Sequence, residues 1–263
     1  MTANAPVLER AAPAIEQAAQ TAVRSAHEET LPTPVALARG RAASAVAALG
    51  FAGFLAIFGL VRTHRSEAFD LALTLKVQSR RHAVLERVMA AASWLGFPPQ
   101  SRIVPPAIIG TLYAFRFPTE ARFQLLAWCT GLVSTVLKAI MRRPRPVAGT
   151  DLRVVAAPLG GSSFPSGHVI TYVGTYGFLA YLAHTLIRPR GVRRALVAGL
   201  VGLLALVGPS RIHQGHHWPT DVTASYLLGT SYLIGLTALY RRAKERRAAR
   251  LRRGDLARSL AGA

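Results

Sequence analysis

Three short segments of this chain carry residues suited to phosphate chemistry. In the first, Lys138 stands near the end of an apolar block and is followed by Arg142, Arg143, Arg145 and Pro146. Clustered lysine and arginine suit a phosphate dianion, because charge-assisted bonds are strong and a guanidinium forks onto two oxygens. Taken alone, the segment also reads as a lysine snorkelling from a helix end beside interfacial arginines. The second segment, Phe164-Pro165-Ser166-Gly167-His168, directly precedes another apolar run. Proline suits a first helical turn, serine an N-cap, and glycine a close backbone approach, so the unpaired amides make an anion site. The third runs from Ser210-Arg211 through His213, His216 and His217 to Asp221. His217 and Asp221 are four apart at a helix start and share a face. An aspartate bonded to one ring nitrogen would fix the tautomer and leave the other lone pair exposed as a nucleophile. His213, His216, His217 and Asp221 could also be metal ligands. The chain has no His-Glu-x-x-His helix, however, and Lys138, Arg145 and Arg211 would repel a cation. The expectation is a site with no metal and no cofactor.

These segments must be held by membrane helices. Hydrophobic residues are 51% of the 263, and they gather into blocks with the charges between them. Several blocks approach the roughly 20 residues that cross a hydrocarbon core about 30 Å thick, where every backbone amide must bond internally. The expected fold is all-α, a polytopic bundle of about six transmembrane helices near 42–61, 102–117, 122–141, 168–187, 195–207 and 219–240. Gly208 and Pro209 are expected to close the fifth. Phe69, Leu73 and Val77, at four-residue spacing, predict an interfacial amphipathic helix over 64–82, lying on the membrane by that stripe. Residues 1–40 read as a polar, partly disordered extension, 41–241 as the six-helix domain and 242–263 as a basic cytoplasmic tail.

The formal net charge of +20 would suggest a nucleic-acid partner in a soluble protein. Here much of it sits beside apolar blocks, as in Arg188, Arg190, Arg193 and Arg194 and the tail from Arg241 to Arg253. That placement sets topology and suits anionic lipids rather than nucleic acid. Six spans put both termini on one side, which the positive-inside rule makes cytoplasmic; 142–167 and 208–218 then face the other side. Arg142, Arg143, Arg145 and Arg153 oppose the rule there, which substrate binding would explain. The single cysteine, Cys129, excludes an intrachain disulfide and a cysteine metal cage. With no secretory signal at the start of the chain, the first membrane helix is expected to serve as an uncleaved anchor.

Together the three segments resemble the type 2 phosphatidic acid phosphatase superfamily. Its motifs are Lys, six residues, Arg-Pro (Lys138 to Arg145-Pro146); Pro-Ser-Gly-His (Pro165 to His168); and Ser-Arg, five residues, His, three residues, Asp (Ser210-Arg211, His217, Asp221). The resemblance implies that Lys138, Arg145, Arg211, Ser166 and the Gly167 amide hold phosphate oxygens. It implies that His217 attacks phosphorus to form a phosphohistidine, with Asp221 orienting it. His168 would protonate the leaving alkoxide and then activate water. The register selects His217 over His216, and His213 and His216 receive no catalytic role. The implied function is a metal-independent hydrolase of a lipid phosphomonoester or pyrophosphate, either phosphatidate-like or undecaprenyl pyrophosphate, in a bacterial inner (plasma) membrane with its site extracytoplasmic. A phosphotransferase using the same phosphohistidine and a non-catalytic lipid-binding or lipid-translocating protein are the alternatives. Haloperoxidase members of the superfamily are soluble, and this chain is not expected to be.

Overall fold

The structure, a computed structural model, describes residues 33–80, 82–148, 152–154 and 160–261. Residues 1–32 of the expected polar extension lie outside the described residues. Nine helices follow one another among the described residues: α1 (Thr33–Arg62), α2 (Glu67–Gln78), α3 (Ala83–Trp94), α4 (Gln100–Ala114), α5 (Pro118–Trp128), α6 (Thr130–Met141), α7 (Gly167–Leu186), α8 (Arg190–His213) and α9 (Pro219–Ala261). No strand occurs among these residues, so the all-α expectation holds.

Four stretches are long and apolar enough to cross a membrane: Gly40–Arg62, Pro118–Met141, Arg190–His213 and Pro219–Arg250. The second of these joins α5 and α6 across Cys129, whose amide still bonds the Leu125 carbonyl at 3.0 Å. The expected second and fourth spans exist as helices, α4 and α7, but are not among the four. With 15 residues, α4 is about 22 Å long at 1.5 Å per residue, short of a full hydrocarbon core. The outward faces of the spanning helices are apolar, with Leu49, Leu55, Leu132, Val136, Val201 and Leu239 all exposed. Large apolar surface of this kind needs a non-aqueous neighbour.

At the centre lies α7, buried along nearly its whole length. Val169, Tyr172, Val173 and Tyr176 pack with Val207 of α8 and Val222 of α9. Farther along, Phe178 and Leu182 meet Ala127, Leu236 and Tyr240. A helix that is apolar all round belongs inside a bundle, so the residue before it and its first turn are fixed in position by the core.

Two helices differ from expectation. The helix α8 does not end at Gly208-Pro209 but runs on to His213. The Tyr226 hydroxyl accepts from the Gly208 amide at 2.9 Å and donates to the Leu204 carbonyl at 2.5 Å. It thus bridges the ladder where proline weakens it. A Cβ at 208 would stand 2.4 Å from the Tyr226 ring, so only glycine allows that insertion. This extension delivers Ser210 and Arg211 to the site on a helix rather than a loop. The second difference is α2, whose buried residues are Asp70, Thr74 and Gln78. Phe69 of the expected membrane stripe is 59% exposed, and only Val77 of that stripe packs against the core.

Candidate active site

All three motif segments meet at one end of the bundle. The first begins on α6, which stops where Arg142 turns left-handed at φ 47°. The chain then extends antiparallel to 162–164. The Ser163 amide donates to the Arg143 carbonyl at 2.9 Å, and the Ser163 hydroxyl donates to the Pro144 carbonyl at 3.0 Å. Phe164, fully buried, stacks against Phe54 and meets Phe58 edge-on, pinning the loop to α1. The Ser166 amide donates to the Ser225 hydroxyl of α9 at 2.8 Å. The loop before α7 is therefore tied to α1, α6 and α9.

Lys138 and Arg145 converge on one carbonyl. Lys138 Nζ donates to Ser162 O at 2.7 Å and an Arg145 terminal nitrogen to the same oxygen at 3.1 Å. The other Arg145 terminal nitrogen reaches His216 O at 2.8 Å and His217 Nε2 at 3.3 Å. An ideal Cβ on Gly167 would stand 3.8 Å from Lys138 Cε, so the start of α7 closes over the lysine. Neither Lys138, Arg145 nor Arg211 has a carboxylate within salt-bridge distance among the described residues.

His217 is buried, and its two nitrogens have different partners. Nδ1 is 2.8 Å from Ser163 O but 3.6 Å from Asp221 Oδ2. A carbonyl only accepts, so Nδ1 carries the proton and Nε2 the lone pair. Arg145 only donates, and its contact with Nε2 requires the same tautomer. The hydrogen bond expected from Asp221 thus goes to a backbone carbonyl, while the carboxylate stands beside the ring as a negative charge. Burial first, and then the charges of Arg211, Lys138 and Arg145, push the His217 pKa well below the usual imidazole range; the Ser163 bond acts weakly the other way. The ring is a neutral base with its lone pair toward an arginine.

Arg211 is completely buried. It donates to Ser93 Oγ at 3.1 Å and Gln214 Oε1 at 2.8 Å, and to His216 Nδ1. Its guanidinium lies over the Phe97 ring at 4.9 Å. The same ring packs edge-on to His168 at 4.7 Å, so Phe97 links the second and third motifs. Because Arg211 donates to Nδ1, His216 carries its proton on Nε2. Burial, Arg211 and Arg145 lower its pKa to about 4, which keeps it a neutral donor. Burial also lowers the Arg145 pKa, opposed by the Asp221 charge.

Ser166 Oγ, His168 Nε2, Arg211 Nε and His216 Nε2 are buried without a partner among the described residues. Buried polar atoms are nearly always bonded, so unmatched ones on converging segments mark a place for a polar ligand. Gly96 belongs here too. A Cβ on it would fall 2.6 Å from His168 Nε2, so that residue must be glycine for the ring to sit there. Among the described residues, no three His, Cys, Asp or Glu side chains gather as a metal site would need.

Several participants carry no signature in the sequence: Ser93, Phe97, Ser163 and Asp70. Ser163 acts through its carbonyl, which no side chain announces. Phe97 and Ser93 sit in an ordinary apolar stretch. Arg143 was one arginine of a cluster, and the structure separates it from Arg145. One of its terminal nitrogens donates to Asp221 Oδ1 and the other to Asp70 Oδ2, both at 2.6 Å. It faces carboxylates rather than the cluster of Lys138, Arg145 and Arg211.

A profile of the PAP2 superfamily matches residues 122–245, the stretch that contains all three motifs. The chain is 29% identical over 186 residues to phosphatidylglycerophosphatase B of Bacillus subtilis, covering 68% of this chain and 87% of that one. It is 30% identical over 155 residues to the undecaprenyl-diphosphatase BcrC of the same organism, covering 57% of this chain and 72% of the relative. The crystal structure of a transmembrane PAP2-type phosphatidylglycerolphosphate phosphatase from Bacillus subtilis superposes with a TM-score of 0.65 at 23% identity, covering 74% of this chain and 96% of that one. Apolar spanning helices and a shared fold make this an integral membrane protein. With the motif-bearing stretch matched and most of a relative's length aligned at 30% identity, the chain belongs to the PAP2 superfamily.

Proposed function

We propose that this chain, a phosphoric ester hydrolase like its relatives, removes phosphate from a membrane lipid through a phosphohistidine, without a metal. The observation that carries this reading is the arrangement of His217. Its Nδ1 proton is held by Ser163 O at 2.8 Å and its Nε2 lies 3.3 Å from Arg145, which leaves a neutral, oriented nucleophile beside a cation.

In the first step the Nε2 lone pair attacks phosphorus, and the bond from phosphorus to the lipid oxygen breaks. His168 gives its proton to that oxygen. In the second step His168 takes a proton from water, the water oxygen bonds phosphorus, and the phosphorus–nitrogen bond breaks to release phosphate. Charge spreads over the equatorial oxygens in both transition states. Lys138, Arg145 and Arg211, with Ser166 and the Gly167 amide, stabilise it as fixed donors that need no reorganisation. Asp221 offsets the imidazolium character that develops when His217 bonds phosphorus. A cluster of three cations does not favour a metal ion, and this supports metal-independent chemistry.

The substrate is a lipid phosphomonoester or pyrophosphate, of phosphatidate or undecaprenyl pyrophosphate type. The names of the two relatives support that range. The chain crosses the membrane six times, α4 and the buried α7 adding to the four longer spans. Both termini are cytoplasmic and the site is extracytoplasmic, in a bacterial plasma membrane.

A phosphate-release panel on the purified protein tests this: phosphatidate, lysophosphatidate, phosphatidylglycerol phosphate and undecaprenyl pyrophosphate. Release should survive chelator, fail with orthovanadate and fall by on the order of 10⁴-fold or more in His217→Ala. Loss on chelation with recovery on added metal would sink the mechanism.

A further inference from the structure

The buried face of α2 carries Asp70, Thr74 and Gln78, a polar stripe with the same four-residue spacing as the apolar one read from the sequence. A helix that only lies on a membrane needs no buried carboxylate, and an ionised one is tolerated in an interior only when paired and bonded. Asp70 is 1% exposed, and both its oxygens are engaged. Oδ1 accepts from the Thr220 amide at 2.9 Å; Oδ2 accepts from the Thr220 hydroxyl at 2.8 Å and from Arg143 at 2.6 Å.

We propose that Asp70 is a positioning residue for the phosphate-transfer centre, holding the start of α9, and through it Asp221 and His217, in place. This rests on the reading of His217 as the nucleophile. Three observations support it. First, α9 opens with Pro219, which has no N–H, so Thr220 carries the first amide of the helix, and its partner is a carboxylate from another helix. Asp70 caps the helix that bears Asp221. Second, Arg143 is shared between Asp70 Oδ2 and Asp221 Oδ1, and also donates to Thr220 Oγ1 at 2.9 Å and Ser66 Oγ at 3.2 Å. With one carboxylate on each terminal nitrogen, the guanidinium cannot turn its whole fork onto Asp221. Asp221 Oδ2 therefore stays with the Trp218 amide at 2.9 Å and beside the His217 ring. Removing Asp70 frees that fork to draw Asp221 away from the histidine. Third, Gln78 of the same face donates to Arg153 O at 2.9 Å and lies near the Ile212 and His213 carbonyls at 3.4 and 3.3 Å. One polar face of α2 thus steadies the ends of both helices that flank the third motif. Asp70 lies outside the matched residues 122–245, so the family match does not assign it.

The test compares Asp70→Asn, Asp70→Ala and Thr74→Val with the wild-type chain in detergent. Thr74 is the control because, among the described residues, its hydroxyl bonds only back to Asp70 O within α2, at 2.7 Å. We expect kcat to fall about tenfold in Asp70→Asn and about a hundredfold in Asp70→Ala. KM should stay within about threefold, because Lys138, Arg145 and Arg211 are untouched. Thr74→Val should stay near wild type. Amide hydrogen exchange over 220–224 should rise in Asp70→Asn and not in Thr74→Val. Unchanged kcat in a folded Asp70→Asn, an equal loss in Thr74→Val, or unchanged exchange at the start of α9 would overturn the proposal. If Asp70→Ala does not fold, the isosteric Asp70→Asn decides. If the wild-type chain releases no phosphate from any lipid, the functional reading fails separately, and hydrogen exchange still judges Asp70.

Discussion

Among the described residues, buried ionic groups occur at two places in this bundle, and they are built from similar parts. On α5, Glu120 is 2% exposed and accepts from Tyr240 and Lys244 of α9, both at 2.8 Å. Lys244 also lies 5.9 Å over the Tyr240 ring, and the neighbouring Arg247 donates to Thr119 at 3.2 Å. Every partner is a protein group, so the cluster is a closed stitch between two helices. At the motif end, Asp70, Arg143 and Asp221 form an equally closed set. Beside them, however, Lys138, Arg145 and Arg211 meet only carbonyls, neutral side chains and an aromatic ring among the described residues. Burial of charge is therefore common to both places. What distinguishes the motif end is a surplus of cations, with buried donors that find no partner among the described residues. A structural stitch neutralises itself, whereas the motif end, as the proposed phosphate site, keeps positive charge in reserve.

Removing one of the reserve cations should separate the two places most sharply. Arg145→Gln deletes a charge from the proposed phosphate site and the contact with His217 Nε2. We expect kcat/KM to fall by about 10²- to 10³-fold, the range seen when one fixed transition-state donor is lost. The melting temperature should change little, since no carboxylate is left unpaired. A variant that retains more than a tenth of wild-type kcat/KM would show that Arg145 does not face the transition state.

The sequence made the reserve legible but not its enclosure. Lys138, Arg145, Arg211 and His217 stand in strings whose spacing carries the chemistry, and the structure gathers them at one end. The apolar blocks likewise indicated membrane helices, since length and composition are what a bilayer demands. Local rules failed where a distant partner overrides them. Gly208-Pro209 ought to end a helix, yet a hydroxyl eighteen residues on completes the ladder. On α2, apolar and polar stripes share one period, and burial chose the polar one because Arg143 and Thr220 lie in wait. His217 and Asp221 are neighbours as their spacing requires, but the ring proton goes to Ser163 O, a backbone atom with no sequence signature.

The pH dependence sharpens the comparison further. Around the His217 ring stand Lys138 from α6, Arg145 and Ser163 O from the motif loop, His168 from α7, Arg211 from α8, His216, and Asp221 from α9. Burial and the three cations depress its pKa. With neutral imidazole as the proposed attacking form, His217 stops attacking as pH falls through that lowered pKa. The acidic limb of kcat/KM assigned to His217 should therefore lie below about 6.5, the ordinary imidazole value. Arg145→Gln removes one depressing charge and should move the limb upward. A limb above 6.5 in the wild-type enzyme, or a downward move in the variant, would mean that Asp221 outweighs the cations at this ring.

The smallest effect belongs to the stitch at α5. Lys244→Met keeps much of the aliphatic packing but takes away the cation that pairs with Glu120. The carboxylate retains the Tyr240 hydroxyl, and Lys244 itself is 22% exposed, so water screens part of the pair. The expected loss is about 1–2 kcal/mol of stability, below the 3–5 typical of fully enclosed pairs. It should appear as a lower thermal midpoint with kcat and KM unchanged, because no group of this cluster reaches the motif segments. Tyr240→Phe should cost a similar amount by removing the other donor to the same oxygen, and the two losses together should differ from their sum because they share Glu120. If Lys244→Met lowered kcat severalfold while the midpoint held, the two ends of α9 would be coupled along its length and the division between stitch and site would fail.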